Sequence, residues 1–573
     1  MPSTFRRALL WIPVLGLCAL SSSACRGASD HVADADRETY AIVDAARGSL
    51  GAEDSMRLSS PGGVRAAGLE PALRSHLLSE PDSRRATSLS LSDCLRIAAE
   101  NSREFEDRRE SLYLSALSLT RTQWEFGYQY SAGAGGFLSG DADDLGVSGE
   151  DASFSISRLF ASGARFVGSS ALSLTRDLST GDAWGAVSDL SLSLTQPLMR
   201  GFGKEIVMEP LLQAERNVLY EARSYERFRR TFAFNVASQY YLIIQRLDLL
   251  RNEEANRESL RLLGIRNQAF AEAGRLSDID MDQALQDEYR AESRVIGSQR
   301  DLEASLDNFK FFLGLPVEAE LGVDPEAADP LLALLEELDL ELDRDLTMAI
   351  SLAERLDHRT VLNRLEDAER RAAIAADALR MGVDLSVDAS VSSETNAVLD
   401  FRGKNFSWNA VLDLNLPIDL IPERNAYRQA LISLDSSRRA AQESRDDVVA
   451  GVRDAQRQLD AVQASLEIQI RSVSLAERRV ESSALNLEAG RSETRDLLES
   501  QEDFLVAQND LARLRTDFAL AALALYRDME LLRIEDSLVV VDAAALDQAK
   551  VTAAAGAEAE FGKDDPQTTS EEE

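Results

Sequence analysis

Four residues, Glu272-Ala273-Gly274-Arg275, return as Glu488-Ala489-Gly490-Arg491 inside two stretches that share an internal plan. The spacing, 490 − 274 = 216 residues, holds for neighbours: Ala214 matches Ala430, Val236 matches Val452 and Asp280 matches Asp496. A chain built twice from one long unit is constrained to stacked or barrel-forming elements, because each copy alone leaves its apolar seam unburied.

The unit is rich in helix-forming residues. Of 573 residues only 6% are aromatic and 13 are proline, which disfavours several compact enzyme domains. The 98 acidic against 62 basic residues give a formal charge of -36, so nucleic acid and anionic lipid surfaces are poor partners. A solvated acidic surface accounts for that charge, and so do acids along a water-filled lumen, where they favour cations. Composition does not choose between them.

Residues 1–24 have the pattern of an export signal: Arg6 and Arg7, an apolar run from Ala8 to Leu20, and small residues from Ser21 to Ala24. The run is too short to cross a bilayer as a mature helix. Cys25 follows directly and resembles the acylated cysteine of bacterial lipoproteins, although Ser22 stands where that motif usually carries leucine. Cleavage at Ala24 that leaves Cys25 a free thiol is the alternative. Cys18 lies in the signal and Cys94 in a helical stretch, so no disulfide framework is expected. His31, His76 and His358 are scattered, without metal-ligand spacing. With no phosphate loop or nucleophile elbow either, no catalytic residue, metal or cofactor is expected.

Residues 25–87, rich in Ser, Gly, Ala, Asp and Arg, are expected to be a flexible leader, and 536–573 an acidic tail. Copy one spans 88–316: a helix over about 90–126 with its N-cap near Ser92-Asp93, strands over about 127–198, a long helix over about 204–274 and a returning helix over about 277–314. Residues 317–344 connect to copy two, 345–535, which has a helix, strands over about 382–418, a long helix over about 423–490 and a return over about 493–534. Copy one carries an insertion within its strand region.

The strand assignments rest on alternation. Val383, Leu385, Val387, Ala389 and Val391 alternate with Asp384, Ser386, Asp388 and Ser390, and Leu190, Leu192 and Leu194 with Ser191 and Ser193. Weaker signals fall at 127–138, 152–160 and 165–176. Both a soluble sheet and a membrane barrel fit such strands. Phe504, Ala507, Leu511, Leu514, Phe518, Ala521 and Leu525 form a heptad seam, and Leu459, Val462, Leu466, Val473, Ala476, Val480 and Leu487 nearly do. These seams predict antiparallel helical pairs that are wet on two sides, as in a coiled-coil rod or a single-walled helical tube.

This ordered set resembles the TolC-like outer membrane factors, the outer membrane efflux protein family. Gln196-Pro197-Leu198 resembles that family's strand-to-helix junction, with Pro417 at the second junction. Gly490 followed by Asp496 and Glu499, and Gly274 followed by Asp280, are similar to its periplasmic tip turns. The resemblance covers about residues 88–535.

It implies an α+β membrane protein and a homotrimer, with strands in a shared transmembrane β-barrel and helices in a periplasmic α-barrel. It also implies a passive exit duct for efflux or type I secretion, partnered by a periplasmic adaptor, an inner membrane pump and outer membrane lipid. Asp496, Glu499 and Asp280 would ring the entrance, and Gly274-Arg275 and Gly490-Arg491 would form the tips. Leu487 and Ser492 occupy positions that latch the entrance in some relatives, so a latch here would need other groups such as Arg491 or Arg495. The family usually contributes four strands per chain, and the insertion leaves open whether copy one adds a hairpin or an external loop. An exported coiled-coil adaptor or structural protein without a channel is the competing reading, and a periplasmic enzyme on a helical stalk the third.

Overall fold

The computed structural model describes residues 27–51, 56–58, 87–139, 147–177, 184–274, 277–319, 321–323, 344–401, 405–535 and 538–541. The export signal, Cys25, Arg275, most of the leader and nearly all of the acidic tail lie outside them. In chain order the elements are α1 (Ala28–Gly48), β1 (Thr87–Leu89), α2 (Leu91–Asn101), α3 (Arg103–Glu125), β2 (Gln129–Ser139), β3 (Val147–Leu159), β4 (Arg165–Asp177) and β5 (Gly185–Pro197). After these come α4 (Lys204–Val207), α5 (Glu209–Glu272), α6 (Asp278–Phe312), β6 (Leu321–Val323), α7 (Arg344–Glu354) and α8 (Leu356–Asp377). β7 (Gly382–Ser392), β8 (Phe406–Asn415), α9 (Ile421–Glu488), α10 (Thr494–Asp528), β9 (Leu532–Glu535) and β10 (Leu538–Val541) complete the chain.

The helices divide where local chemistry stops them. Ser90, rather than Ser92-Asp93, caps α2: its Oγ accepts the Asp93 N–H at 3.2 Å and Asp93 accepts the Ser90 N–H at 3.3 Å. The single first helix expected in copy one is two, because Ser102 takes an extended backbone between α2 and α3. The first helix of copy two is likewise α7 and α8. α5 has 64 residues and α9 has 68, on the order of 100 Å each at the rise of an α-helix. The returning helices α6 and α10 both have 35 residues and start at 278 and 494, which keeps the 216-residue spacing.

The chain forms two compact units, and α3, α5, α8 and α9 each contribute to both. The first unit contains one antiparallel sheet in the order β2-β3-β4-β5-β7-β8. β2 follows α3 as β7 follows α8, and β5 precedes a long helix as β8 does, so the extra pair in the first strand region is β3 and β4, and both lie within the sheet. Within this unit Asp367 binds α8 to α5, accepting from Tyr220 Oη at 2.7 Å, Arg216 at 2.9 Å and Gln213 at 3.2 Å. Arg370 of the same helix donates to it at 2.7 Å. Burial pushes the Asp367 carboxyl up, but these donors outweigh it and hold the group below the usual carboxylate range. Ala368, Ala372 and Leu434 close the apolar side of this packing.

The leader differs from expectation, since residues 28–48 are helical. Thr39, Val43 and Arg47 form a buried stripe four residues apart, and the Tyr113 hydroxyl donates to Asp36 at 2.5 Å while its ring meets Tyr40 at 5.4 Å. Burial and the Asp36 carboxylate push the Tyr113 hydroxyl up to about 12. Residues of small or polar type make up most of this helix, so its seam has little apolar signature.

In the second unit β1 pairs in parallel with β6, and β9 antiparallel with β10. Phe105 sits among Tyr225, Phe228 and Phe232 at 5.3–6.0 Å. α6 and α10 end in the same turn. Gly314 donates to Phe311 O and Leu315 to Lys310 O, while Glu530 donates to Arg527 O and Leu531 to Tyr526 O. Gly314 has φ 76 and Glu530 has φ 59, a left-handed backbone that is costly for a residue with a Cβ. Glu530 is buried and ion-paired to Arg227 at 2.8 Å and to Arg230.

Candidate functional site

Two regions stand out, a two-faced sheet and a set of helix tips. Strand pairing assigns every residue of the sheet to a face. One face carries Tyr130, Phe154, Ile156, Leu172, Leu190, Leu192, Leu194, Val387, Trp408, Leu412 and Leu414. Trp408 is 70% exposed, Leu412 64% and Leu414 58%, so this apolar face is bare on the single chain.

The other face is polar. Ser131, Ser155, Ser169, Ser191, Ser390 and Ser407 occupy successive partner positions across all six strands. They bond in pairs: Ser131 to Ser155 at 2.7 Å, Ser169 to Ser191 at 2.6 Å and Ser390 to Ser407 at 2.8 Å. Asp151, Asp189, Asp384, Asp388 and Asp413 share this face, with Arg165 near the helical end.

Aromatic side chains gather at both ends of the sheet. At the end where the helices begin, Arg158 lies over the Tyr128 ring at 4.4 Å and the Phe160 ring at 5.2 Å. Trp184 and Phe406 stand at the opposite end, 42% and 53% exposed.

The strand-to-helix junction at Pro197 is tightly built. Gln196 Nε2 donates to Ser162 O at 3.1 Å, and Ser162 Oγ to Gln196 Oε1 at 3.0 Å. Gly163, at φ 89, sits so close that a Cβ there would lie 2.8 Å from Pro197 and 2.9 Å from Gly201 O. Pro417 follows β8, whose pairing ends at Asn415, and stands four residues before α9 begins.

Gly274 and Gly490 end α5 and α9 with φ 70 and 67, and each would meet no atom within 4 Å if it carried a Cβ. Gly274 donates to Ala271 O at 2.9 Å; Gly490 donates to Leu487 O at 3.0 Å and Arg491 to Asn486 O at 2.8 Å. Left-handed backbone, not crowding, therefore explains both glycines. Arg491 is exposed, whereas Arg275 lies outside the described residues.

Asp280 and Asp496 sit in the first turn of the returning helices and Glu499 in the second turn of α10, and each has a structural partner. Asp280 accepts from Ser277 Oγ at 2.6 Å, and Ser277 Oγ accepts the Asp280 N–H at 3.2 Å. Asp496 accepts the Glu493 N–H at 3.2 Å. Glu499, exposed, lies 3.6 Å from Arg479 of α9.

The heptad seam predicted the pairing of α9 with α10, and Arg479 also reaches Asp503 at 2.6 Å while Ser483 meets Ser500 at 2.9 Å. Sequence reasoning missed the second seam, between α5 and α10. Gln501 donates to Ser259 at 2.8 Å, Asn252 to Asn509 at 3.0 Å and Asn267 to Thr494 at 3.3 Å. Leu260, Leu263, Ala291, Leu487, Leu497 and Leu498 form one cluster beneath the tips. Consecutive Leu497-Leu498 is the signal that could have revealed it, since two adjacent helix positions serve two different partners.

No candidate metal cluster of acidic, cysteine and histidine side chains occurs among the described residues. No helix among them is long and apolar enough to cross a membrane.

Residues 349–529 match the family described as outer membrane efflux protein, in agreement with the resemblance seen in the sequence. No curated protein matches the chain. Among solved structures, the chain is similar to the Campylobacter jejuni CmeC outer membrane channel: 13% identity, 86% of this chain, 98% of that one and a TM-score of 0.57. A membrane protein from Pseudomonas aeruginosa shares 16% identity over 78% of this chain and 93% of its own, with a TM-score of 0.58. The Neisseria gonorrhoeae MtrE outer membrane channel shares 12% over 77% and 88%, with a TM-score of 0.56. At these identities the likeness establishes the fold alone: mostly helical, with a six-stranded sheet among its strands.

Proposed function

We propose that this chain is the outer membrane exit duct of a tripartite efflux or type I secretion system. In this reading it is not an enzyme, and conducts substrates passively across the periplasm and outer membrane. The bare apolar face of a sheet whose other face is polar carries the reading. Strands of 10–13 residues are long enough to cross the hydrocarbon layer. Lipid covers one face and water the other, and the aromatic groups at the two ends match the interfacial belts of membrane proteins.

The open edges of the sheet require further strands, since unpaired backbone groups in lipid are prohibitively costly. A homotrimer assembled from chains that each carry two tandem copies of the unit supplies them. The long helices then form a periplasmic tube whose tips meet a periplasmic adaptor, which links the duct to an inner membrane pump. Energy comes from the pump, so the duct itself needs no cofactor.

Asp280, Asp496 and Glu499 lie beside the tip turns, and threefold symmetry would bring three copies of each around the entrance. There they attract cations. Single-channel recording of the reconstituted protein tests this, with Asp496→Ala and Glu499→Ala as the informative variants. Weaker cation selectivity, or weaker block by multivalent cations, is the expected result. Unchanged values in both variants would remove these acids from the entrance.

A further inference from the structure

The sheet has six strands, and nothing along it separates the inserted hairpin from the rest. The β2–β3 and β3–β4 registers run for 11 and 13 partner pairs without a bulge. Ser155 and Ser169 of the inserted strands stand in the same row as Ser131, Ser191, Ser390 and Ser407. The apolar face likewise continues over β3 and β4 through Phe154, Ile156 and Leu172. The turn between those strands is fixed against the Pro197 junction by the paired Ser162–Gln196 hydrogen bonds. An external loop would need none of these features.

The free edges are β2 and β8. Neither contains the proline or lysine with which soluble sheets protect an edge, and their one charged residue, Asp413 of β8, lies on the polar face. Because the number of strands is even and all pairs are antiparallel, β2 and β8 run in opposite directions. The β8 edge of one copy can therefore pair antiparallel with the β2 edge of the next, at every seam.

We propose that three chains close through β2–β8 pairing between copies into one barrel of eighteen strands, three times the six in each sheet, with the serine-lined face toward water. This rests on the trimeric-duct reading above. Barrels of about 16–18 strands leave an open aqueous channel. The outer membrane segment is then a wide passage for hydrated cargo, and discrimination falls to the helical tips.

Single cysteines in the inserted strand β3 of the full chain, reconstituted in lipid bilayers, test the closure. Ser153→Cys and Ser155→Cys on the polar face should react with a charged, membrane-impermeant thiol reagent and lower the conductance. Phe154→Cys and Ile156→Cys should resist that reagent and react with an apolar maleimide. Labelling is scored above that of the unsubstituted protein, which accounts for Cys25; Cys94 stays silent, being buried, with its thiol pushed up to about 12. Equal reaction at all four positions with unchanged conductance would place the hairpin outside the wall and overturn the proposal.

A second variant, lacking residues 147–177, removes two strands per chain and preserves antiparallel seams. Its barrel, seen end-on by electron microscopy, should be narrower by about one third, since diameter grows roughly linearly with strand number. An unchanged diameter would overturn the proposal. If the unsubstituted protein forms trimers and conducts while the cysteine pattern fails, only the strand count is wrong. Absence of any conductance overturns the duct reading and the closure with it.

Discussion

Gly314 and Glu530 each stand two residues beyond a 35-residue helix, 216 residues apart, and each takes a left-handed backbone. The hydrogen bonds of the two turns are the same, yet the reasons for the residues differ. At Gly314 a Cβ would fall 2.2 Å from the Asn101 carbonyl oxygen, so the main chain leaves no room for a side chain. At Glu530 there is room, and the carboxylate enters it to meet Arg227 and Arg230. Turns with the same hydrogen bonds can thus demand a glycine for contact at one position and hold a charge pair at another. The tip glycines, Gly274 and Gly490, form a third case in which only the backbone angle matters.

The comparison can be broken by substitution. Gly314→Ala should have the largest effect, a loss of about 4 kcal/mol from the steric clash and the left-handed alanine together, seen as a lowered melting temperature in detergent. Glu530→Gly gives a test of sign. If position 530 only ended the helix, glycine would stabilise by about 1 kcal/mol. Because the substitution strips partly buried Arg230 of its carboxylate and leaves Arg227 with Asp357 alone, a net loss of about 2–3 kcal/mol is expected instead.

Asp367→Asn should cost about 2 kcal/mol at neutral pH through weakened hydrogen bonds to charged donors. The Asp367 carboxyl is held below its ordinary value in the folded state, so its contribution is present above the unfolded carboxylate range. That contribution is lost as pH falls through the lower folded value. Melting curves of variant and parent should therefore converge in acid, below about pH 4. Gly490→Ala should cost least, about 1 kcal/mol, because nothing lies near its Cβ position. A loss at Gly490 as large as that at Gly314 would remove the distinction between conformation and contact.

The helical hairpins were legible because their signals are local: a heptad seam, a glycine, then an acidic first turn. β7 and the middle of β5 were equally clear, since Val and Leu alternate there with Ser and Asp. β2 and β3 gave weaker signals because small residues dominate them. In β3 only Phe154 and Ile156 stand out among Ala152, Ser153, Ser155 and Ser157. The serine row depends on registers between strands up to 200 residues apart, and no window along the chain contains it. α1 was missed because its seam is made of Thr39, Val43 and Arg47, and a buried arginine does not register as apolar. The acids at the tips were legible as positions, but their hydrogen bonds to Ser277 and Glu493 emerge only from the folded turns.

The central claim is that copies of this sheet close around water within a membrane. Ion conductance across a planar lipid bilayer containing the purified, unsubstituted protein tests it most directly. Discrete, long-lived open levels that favour cations over anions are predicted. A bilayer that stays silent at every protein concentration, with the protein remaining monomeric and soluble without detergent, would contradict it.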